Sequence, residues 1–123
     1  MGRDRQGNSR ASDERNRLAM ALRGRQADRV LKAARTLRDT GEMTLGDAAY
    51  VASFLADVDD DRYPEAAARL AARITLASRL GLDAFDEVLD LVANLPDAER
   101  LDRLLRYARH ADLALARERC PND

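Results

Sequence analysis

The apolar residues of this chain recur at the spacing of an α-helix, and this pattern limits the fold more than any other feature of the sequence. The clearest helical face combines Ala27, Val30, Leu31, Ala34 and Leu37. Strands favour β-branched and aromatic residues, whereas aromatic residues make up only 4% of this chain and Trp is absent. Ala, Leu and Arg are abundant instead, and they lose little entropy in a helix. The sequence therefore predicts an all-α fold.

Capping residues divide the pattern into about five amphipathic helices. The boundary signals are, in chain order, Ser12 or Asp13 as a first cap, Gly24 and Gly41 as ends, Thr44 as a cap, Pro64 in a first turn, Gly81 as a break, and Asp83 and Asp97 as further caps. The connections are short, so we expect a compact bundle in which neighbouring helices are mostly antiparallel. With 123 residues, we predict a disordered basic arm over residues 1–11, one helical domain over 12–119 and a tail over 120–123.

The charges are divided unevenly along the chain. Residues 1–40 contain eleven Arg or Lys and five Asp or Glu, whereas residues 41–123 contain ten and seventeen. This division favours a basic surface that meets an anionic partner. The alternative is that the basic region neutralises the acidic one, within one chain or between copies.

No set of residues in the sequence predicts catalysis, a metal or a cofactor. One His and one Cys cannot form a zinc cluster, and neither a phosphate-binding glycine loop nor an ordered Ser, His and acid set occurs. The acidic run at residues 57–61 lacks the ligand spacing of a calcium loop, so we interpret it as a solvated loop that caps the next helix. We expect no enzyme. Residues 1–12 have no apolar core of a signal peptide, and residues 48–58 are too few to span a membrane, so we expect a cytoplasmic location without membrane contact.

Three helices carry basic faces opposite their apolar ones. The members are Arg25, Arg29, Lys32 and Arg35; Arg69 and Arg73; and Arg103, Arg106, His110 and Arg117. Arginine forks fit phosphate oxygens, and such contacts carry no sequence specificity. Few aromatic residues are present to stack on free bases. The pattern favours contact with a nucleic-acid backbone, although interleaved acids leave open that each face is only solvated.

Residues 76–83 have the spacing of the first helix and turn of a helix-turn-helix. The helix that would read the DNA groove then begins near Asp83 and contains four acidic residues and no basic one up to Asp90. Phosphates would repel such a helix. We therefore interpret the Gly81 turn as an ordinary helix junction.

The order of these features resembles the small subunit of type III-A CRISPR effector complexes, a compact all-helical protein of about this length. Three stretches carry the resemblance. Residues 29–55 match a helix, a polar turn and a Leu-Thr-type cap; residues 73–79 match the end of a long helix; residues 102–116 match a terminal helix with a basic, aromatic and acidic pattern.

The resemblance implies a non-catalytic subunit that is present in several copies, contacts other subunits of the complex, and braces the duplex of guide RNA and target RNA through its backbone. The matching contact positions are Arg73, Arg79, Arg103 and Arg106, with Arg29 and Lys32 as further positions. Two other functions stay open. One is a DNA-binding or regulatory protein that uses the Arg-rich N-terminal region, and the other is a helical adaptor between proteins.

Overall fold

The computed structural model describes the backbone of residues 2–119 and the side chains of residues 13–118, and this range contains six α-helices and no strand. The helices are α1 (Gly2–Gly24), α2 (Ala27–Asp39), α3 (Leu45–Asp57), α4 (Tyr63–Ser78), α5 (Leu82–Ala93) and α6 (Ala98–Arg119). The all-helical prediction is confirmed for this range, with six helices in place of about five. The predicted tail, 120–123, lies outside it.

Contacts within the chain group the helices into two compact units. The N-terminal unit extends to Met43 and contains α1 and α2, and the C-terminal unit starts at Thr44 and contains α3 to α6. The sequence predicts one helical domain over residues 12–119, so this division is a feature that periodicity and capping residues did not reveal.

The first helix begins earlier than the sequence predicts. α1 includes residues 2–11, for which we predict a disordered arm, and it continues through the predicted caps Ser12 and Asp13. A helix that has formed its first turn extends by one hydrogen bond for each residue added, and no proline interrupts residues 1–24. The end of α1 at Gly24 agrees with the prediction.

The buried face of α2 is the one that its periodicity predicts. Val30, Ala34 and Leu37 are buried, and Ala33 joins them, whereas Ala27 and Leu31 are only half-buried. The helix ends where expected because Gly41 adopts a left-handed conformation with φ of 76°, which costs a glycine little. The N–H of Glu42 donates to the carbonyl of Leu37 at 2.9 Å and closes the helix end.

The C-terminal unit has one apolar core to which all four of its helices contribute. Its largest fully buried members are Leu45, Ile74, Val88, Leu91 and Leu104. α6 packs against each of α3, α4 and α5, so its apolar face is the shared surface of the unit. Leu89 on α5 is 38% exposed, because it lies at the edge of the wide apolar arc formed by Val88, Leu91 and Val92.

The first turn of α3 is capped twice. The Thr44 hydroxyl accepts from the N–H of Asp47 at 3.0 Å, and the Asp47 carboxylate accepts from the N–H of Thr44 at 3.0 Å. A second carboxylate comes from α6: Asp112 accepts from the N–H groups of Leu45 at 2.8 Å and Gly46 at 3.2 Å. The N–H groups from Thr44 to Asp47 are therefore all satisfied by side chains.

The junction of α4 and α5 differs in detail from the prediction. α4 has Pro64 in its first turn as expected, but it ends at Ser78 because Arg79 adopts a left-handed conformation with φ of 53°. The N–H of Leu80 then donates to the carbonyl of Thr75 at 3.1 Å. Gly81, the expected break, is instead the N-cap residue of α5, and Asp83 lies inside its first turn.

Candidate nucleic-acid interface

The outer face of α6 carries two of the predicted phosphate contacts. The helix starts where Asp97 accepts from the N–H of Arg100 at 3.0 Å, as its capping signal predicts. Leu104 and Ala108 then turn towards the core and are fully buried. Because the helix repeats every 3.6 residues, this orientation leaves Arg103 and Arg106 exposed on the opposite side.

A shallow depression of about 350 Å³ brings these arginines together with neighbouring side chains. Its lining residues are Leu80, Glu87, Arg103, Arg106, Tyr107 and His110. Three of them, Arg103, Arg106 and His110, follow the i, i+3, i+7 spacing of one helical face. We name the exposed set Arg103, Arg106 and His110 the α6 basic face.

The two arginines of the α6 basic face differ in their electrostatic surroundings. Arg106 donates to Asp102 one turn earlier, at 3.1 Å, and both side chains are well exposed. Such a pair contributes only about 0.3–0.5 kcal/mol, so a phosphate can replace Asp102 at little cost. Among residues 13–118, no ion pair involves Arg103. Arg103 is therefore the cation of this face that is available to an anion without losing a partner.

Tyr107 and Glu87 connect the depression to α5. The Tyr107 hydroxyl donates to the carboxylate of Glu87, and this hydrogen bond raises the pKa of Tyr107 above its usual value. Neither residue belongs to a site that the sequence predicts. No local signal joins them, since they lie 20 positions apart. The carboxylate places a negative charge beside the α6 basic face and so limits where an anion can approach.

The remaining predicted contacts lie elsewhere. Arg79 precedes Leu80, which lines the depression, and its guanidinium is 4.0 Å from Glu118 with both side chains exposed. Arg73 is exposed on α4, and no ion pair involves it among the described side chains. Arg29 and Lys32 line a different groove, inside the N-terminal unit. Within the C-terminal unit, the structure brings Arg103 and Arg106 together at one depression.

The acidic loop that follows α3 lies directly before α4 but does not cap it through a side chain as predicted, because the N-cap residue is Arg62 and it makes no side-chain cap hydrogen bond. The Asp60 carboxylate accepts from the backbone N–H of Arg62 at 2.9 Å and pairs with its guanidinium at 2.7 Å, just before α4. These bonds lower the pKa of Asp60 to about 2. Among the described residues, no group of three or more potential metal-ligating side chains occurs.

Comparisons with known proteins give no relative: the chain matches no protein-family model, no curated protein and no solved structure. In the part of the chain that the structure describes, no helix has the length and apolar content needed to cross a membrane.

Proposed function

We propose that this chain is a non-catalytic helical subunit that binds the sugar–phosphate backbone of duplex RNA. The observation that carries the proposal is the α6 basic face, where Arg103 and Arg106 project from one side of a rigid helix and Arg103 has no carboxylate partner among the described residues. Two guanidinium groups at this spacing suit neighbouring phosphates of one strand.

The scarcity of aromatic residues supports contact with the backbone of a duplex. The chain has only two Phe and three Tyr, too few to form a platform for unstacked bases. Of these, Tyr107 is the one at the depression, and its hydroxyl is engaged by Glu87. Phosphate and 2′-hydroxyl contacts are how proteins recognise double-stranded RNA by shape.

The resemblance to the small subunit of type III-A CRISPR complexes extends the proposal. On this basis the chain is a cytoplasmic antiparallel bundle that acts in several copies in an RNA-guided antiviral complex. It braces the duplex of guide and target RNA, and other subunits provide the cleavage activity. Arg103 and Arg106 are its main contacts, and Arg73 and Arg79 are further contacts.

The first test is binding of a fluorescent 16-base-pair RNA duplex, followed by anisotropy at several salt concentrations. Each phosphate contact contributes roughly one unit to the slope of log K against log salt. The double variant Arg103→Glu, Arg106→Glu is expected to weaken binding at least tenfold and to reduce the slope by about two. A matched control, Arg100→Glu with Arg109→Glu, changes the charge of the same helix equally but leaves the α6 basic face intact.

The result distinguishes a site from a general charge effect. Equal losses in both variants would show that only the net charge of α6 matters, and undiminished binding in Arg103→Glu, Arg106→Glu would overturn the proposal. Preference for duplex DNA over duplex RNA would favour the regulatory alternative. Purification of the tagged chain from its own cells then tests the wider role, which requires short guide RNAs and several partner subunits in the eluate.

A second candidate function, an adaptor between proteins, is favoured by exposed leucines. Leu76 and Leu82, on either side of the α4–α5 junction, are 78% and 81% exposed, and Leu113 on α6 is 60% exposed. Apolar side chains in such positions are typical of docking surfaces when they cluster. Partner binding that survives high salt, together with no RNA binding, would establish this alternative.

A further inference from the structure

The N-terminal unit contains a groove between α1 and α2 that combines an apolar floor with a basic rim. Its volume is about 450 Å³. The floor is formed by Met20, Ala21 and Ala33, and Met20 is 68% exposed. An exposed methionine is a flexible apolar side chain that adapts to the shape of a partner. The floor therefore suits an apolar side chain inserted from outside.

The rim of this groove carries more positive than negative charge. Arg17, Arg29 and Lys32 line it, together with one carboxylate, Glu14. Arg17 pairs with Glu14 at 3.0 Å, whereas no ion pair involves Arg29 or Lys32 among the side chains of residues 13–118. The groove therefore requires an occupant that is apolar along one edge and acidic beside it.

The outer side of α5 has this combination. The helix contains four carboxylates and no basic residue, and all four acidic residues are exposed. Leu82 and Leu89 are 81% and 38% exposed. With Asp86 they follow the i, i+4, i+7 spacing, so an apolar edge lies directly beside a carboxylate. α5 therefore offers apolar side chains for the floor and carboxylates for the rim.

We propose that the α1–α2 groove of one copy binds the α5 helix of a second copy. Leu82 and Leu89 contact the floor near Met20, and Asp86 and Asp90 pair with Arg29 and Lys32. The charges of the two regions support this pairing, since residues 1–43 carry a net charge of +5 and residues 44–123 carry −6. The proposal does not depend on RNA binding by the α6 basic face.

The two surfaces are different parts of the chain, and each copy offers one of each. One copy can bind two neighbours, or two copies can pair through both surfaces at once, and in either case the assembly is held by the same groove–helix contact. Its contacts between charged rims should be screened by salt, so we expect the average mass to rise with protein concentration at 50 mM salt and to fall at 500 mM.

Sedimentation velocity of the full chain tests the pairing with two charge reversals. The groove variant is Arg29→Glu with Lys32→Glu, and the helix variant is Asp86→Lys with Asp90→Lys. Each alone is expected to sediment as a monomer where the unaltered chain associates. When the two variants are mixed, the unaltered groove of the helix variant can bind the unaltered α5 of the groove variant. The acidic groove of the groove variant is likewise complementary to the basic α5 of the helix variant. The mixture should therefore associate at least tenfold more tightly than either variant alone.

A matched control changes the charge of α2 outside the groove. Arg35→Glu with Arg38→Glu has the same charge change as the groove variant and alters no lining residue, so its association should stay within threefold of the unaltered chain. Circular dichroism of each variant serves to check that its helices are retained. Leu82→Ser, which changes a side chain exposed in the monomer, should also weaken association tenfold.

Three results would overturn the proposal. The first is an unaltered chain that is monomeric at all concentrations in low salt. The second is a mixture of the two variants that stays monomeric, and the third is a control that dissociates as much as the groove variant. Weaker binding of the RNA duplex by the groove variant with undiminished association would assign Arg29 and Lys32 to nucleic acid instead. Failure of RNA binding in the Arg103→Glu, Arg106→Glu variant leaves this test unaffected, because that variant retains both surfaces.

Discussion

Replacement of Asp112 by Ala should destabilise the C-terminal unit more than any other change at a charged residue of α6. The Asp112 carboxylate accepts from two backbone donors at the start of α3, the N–H groups of Leu45 and Gly46. It is half-buried, so water replaces it only in part. Alanine would leave both donors without an acceptor and would remove a negative charge from the positive end of the helix.

The size of the effect follows from these contacts. A hydrogen bond to a charged group contributes about 1.5–3 kcal/mol, and loss of a single N-cap side chain costs about 0.5–2 kcal/mol. The two bonds of Asp112 share one carboxylate, and partial solvent access offsets some of their loss. We therefore expect the free energy of unfolding to fall by about 2–3 kcal/mol. With a urea dependence of about 2 kcal/mol per molar, the midpoint should decrease by about 1–1.5 M.

Intrinsic tyrosine fluorescence is a selective assay, because Tyr50, Tyr63 and Tyr107 all lie in the C-terminal unit and the chain has no Trp. Asp112→Asn keeps one oxygen acceptor and should lose about half as much stability as Asp112→Ala. Asp102→Ala, which removes an exposed carboxylate of the same helix, should change stability by less than about 0.5 kcal/mol. A midpoint for Asp112→Ala that matches the Asp102→Ala control would refute the argument.

Three further predictions concern turns and titrating groups. Arg79→Gly should stabilise the C-terminal unit by about 1 kcal/mol in the urea assay, because glycine adopts the left-handed conformation without the penalty of a side chain. It should also weaken binding of the RNA duplex. A lower free energy of unfolding would contradict the expected gain in stability. Glu87→Gln should lower the pKa of Tyr107 towards 10.0 in an ultraviolet titration, because the Glu87 carboxylate holds that pKa above 10.0. In the unaltered chain the Tyr107–Glu87 hydrogen bond contributes fully to stability below pH 10, and this contribution is lost as the pH rises through the folded-state pKa of Tyr107. Arg62→Gln should raise the pKa of Asp60 from about 2 only part of the way to its ordinary 3.8 in an NMR titration of side-chain carboxyls, because the guanidinium is lost while the backbone N–H of residue 62 still donates. Part of the stability that the unaltered chain loses between pH 3.8 and pH 2 is then already absent, and a value that stays near 2 would assign the shift to the backbone bond alone.

Local signals in the sequence predict most of the helix boundaries. Thr44, Pro64 and Asp97 mark the starts of their helices because each acts through backbone groups within one turn of itself. Gly41 marks an end for the same reason. The end of α4 was predicted less accurately, because the residue with the left-handed conformation is Arg79. It lies two positions before Gly81, the predicted break.

Contacts between distant residues were not predictable from spacing alone. The Asp112 cap joins positions 67 apart, and the Tyr107–Glu87 hydrogen bond joins positions 20 apart. Periodicity correctly predicts that Arg103 and Arg106 share an outer face of α6. It does not predict that Arg106 has Asp102 as a partner while Arg103 has none among the described residues, because ion pairing depends on the rotamers of both side chains.

The position of α6 has a consequence for how the protein is made. α3, α4 and α5 all pack against this helix, and it is the last of the described helices to leave the ribosome. Until then the apolar faces of the earlier helices lack their common partner. The C-terminal unit should therefore complete its folding only after synthesis has passed α6, and a ribosome stalled before this helix would present nascent apolar surface to chaperones.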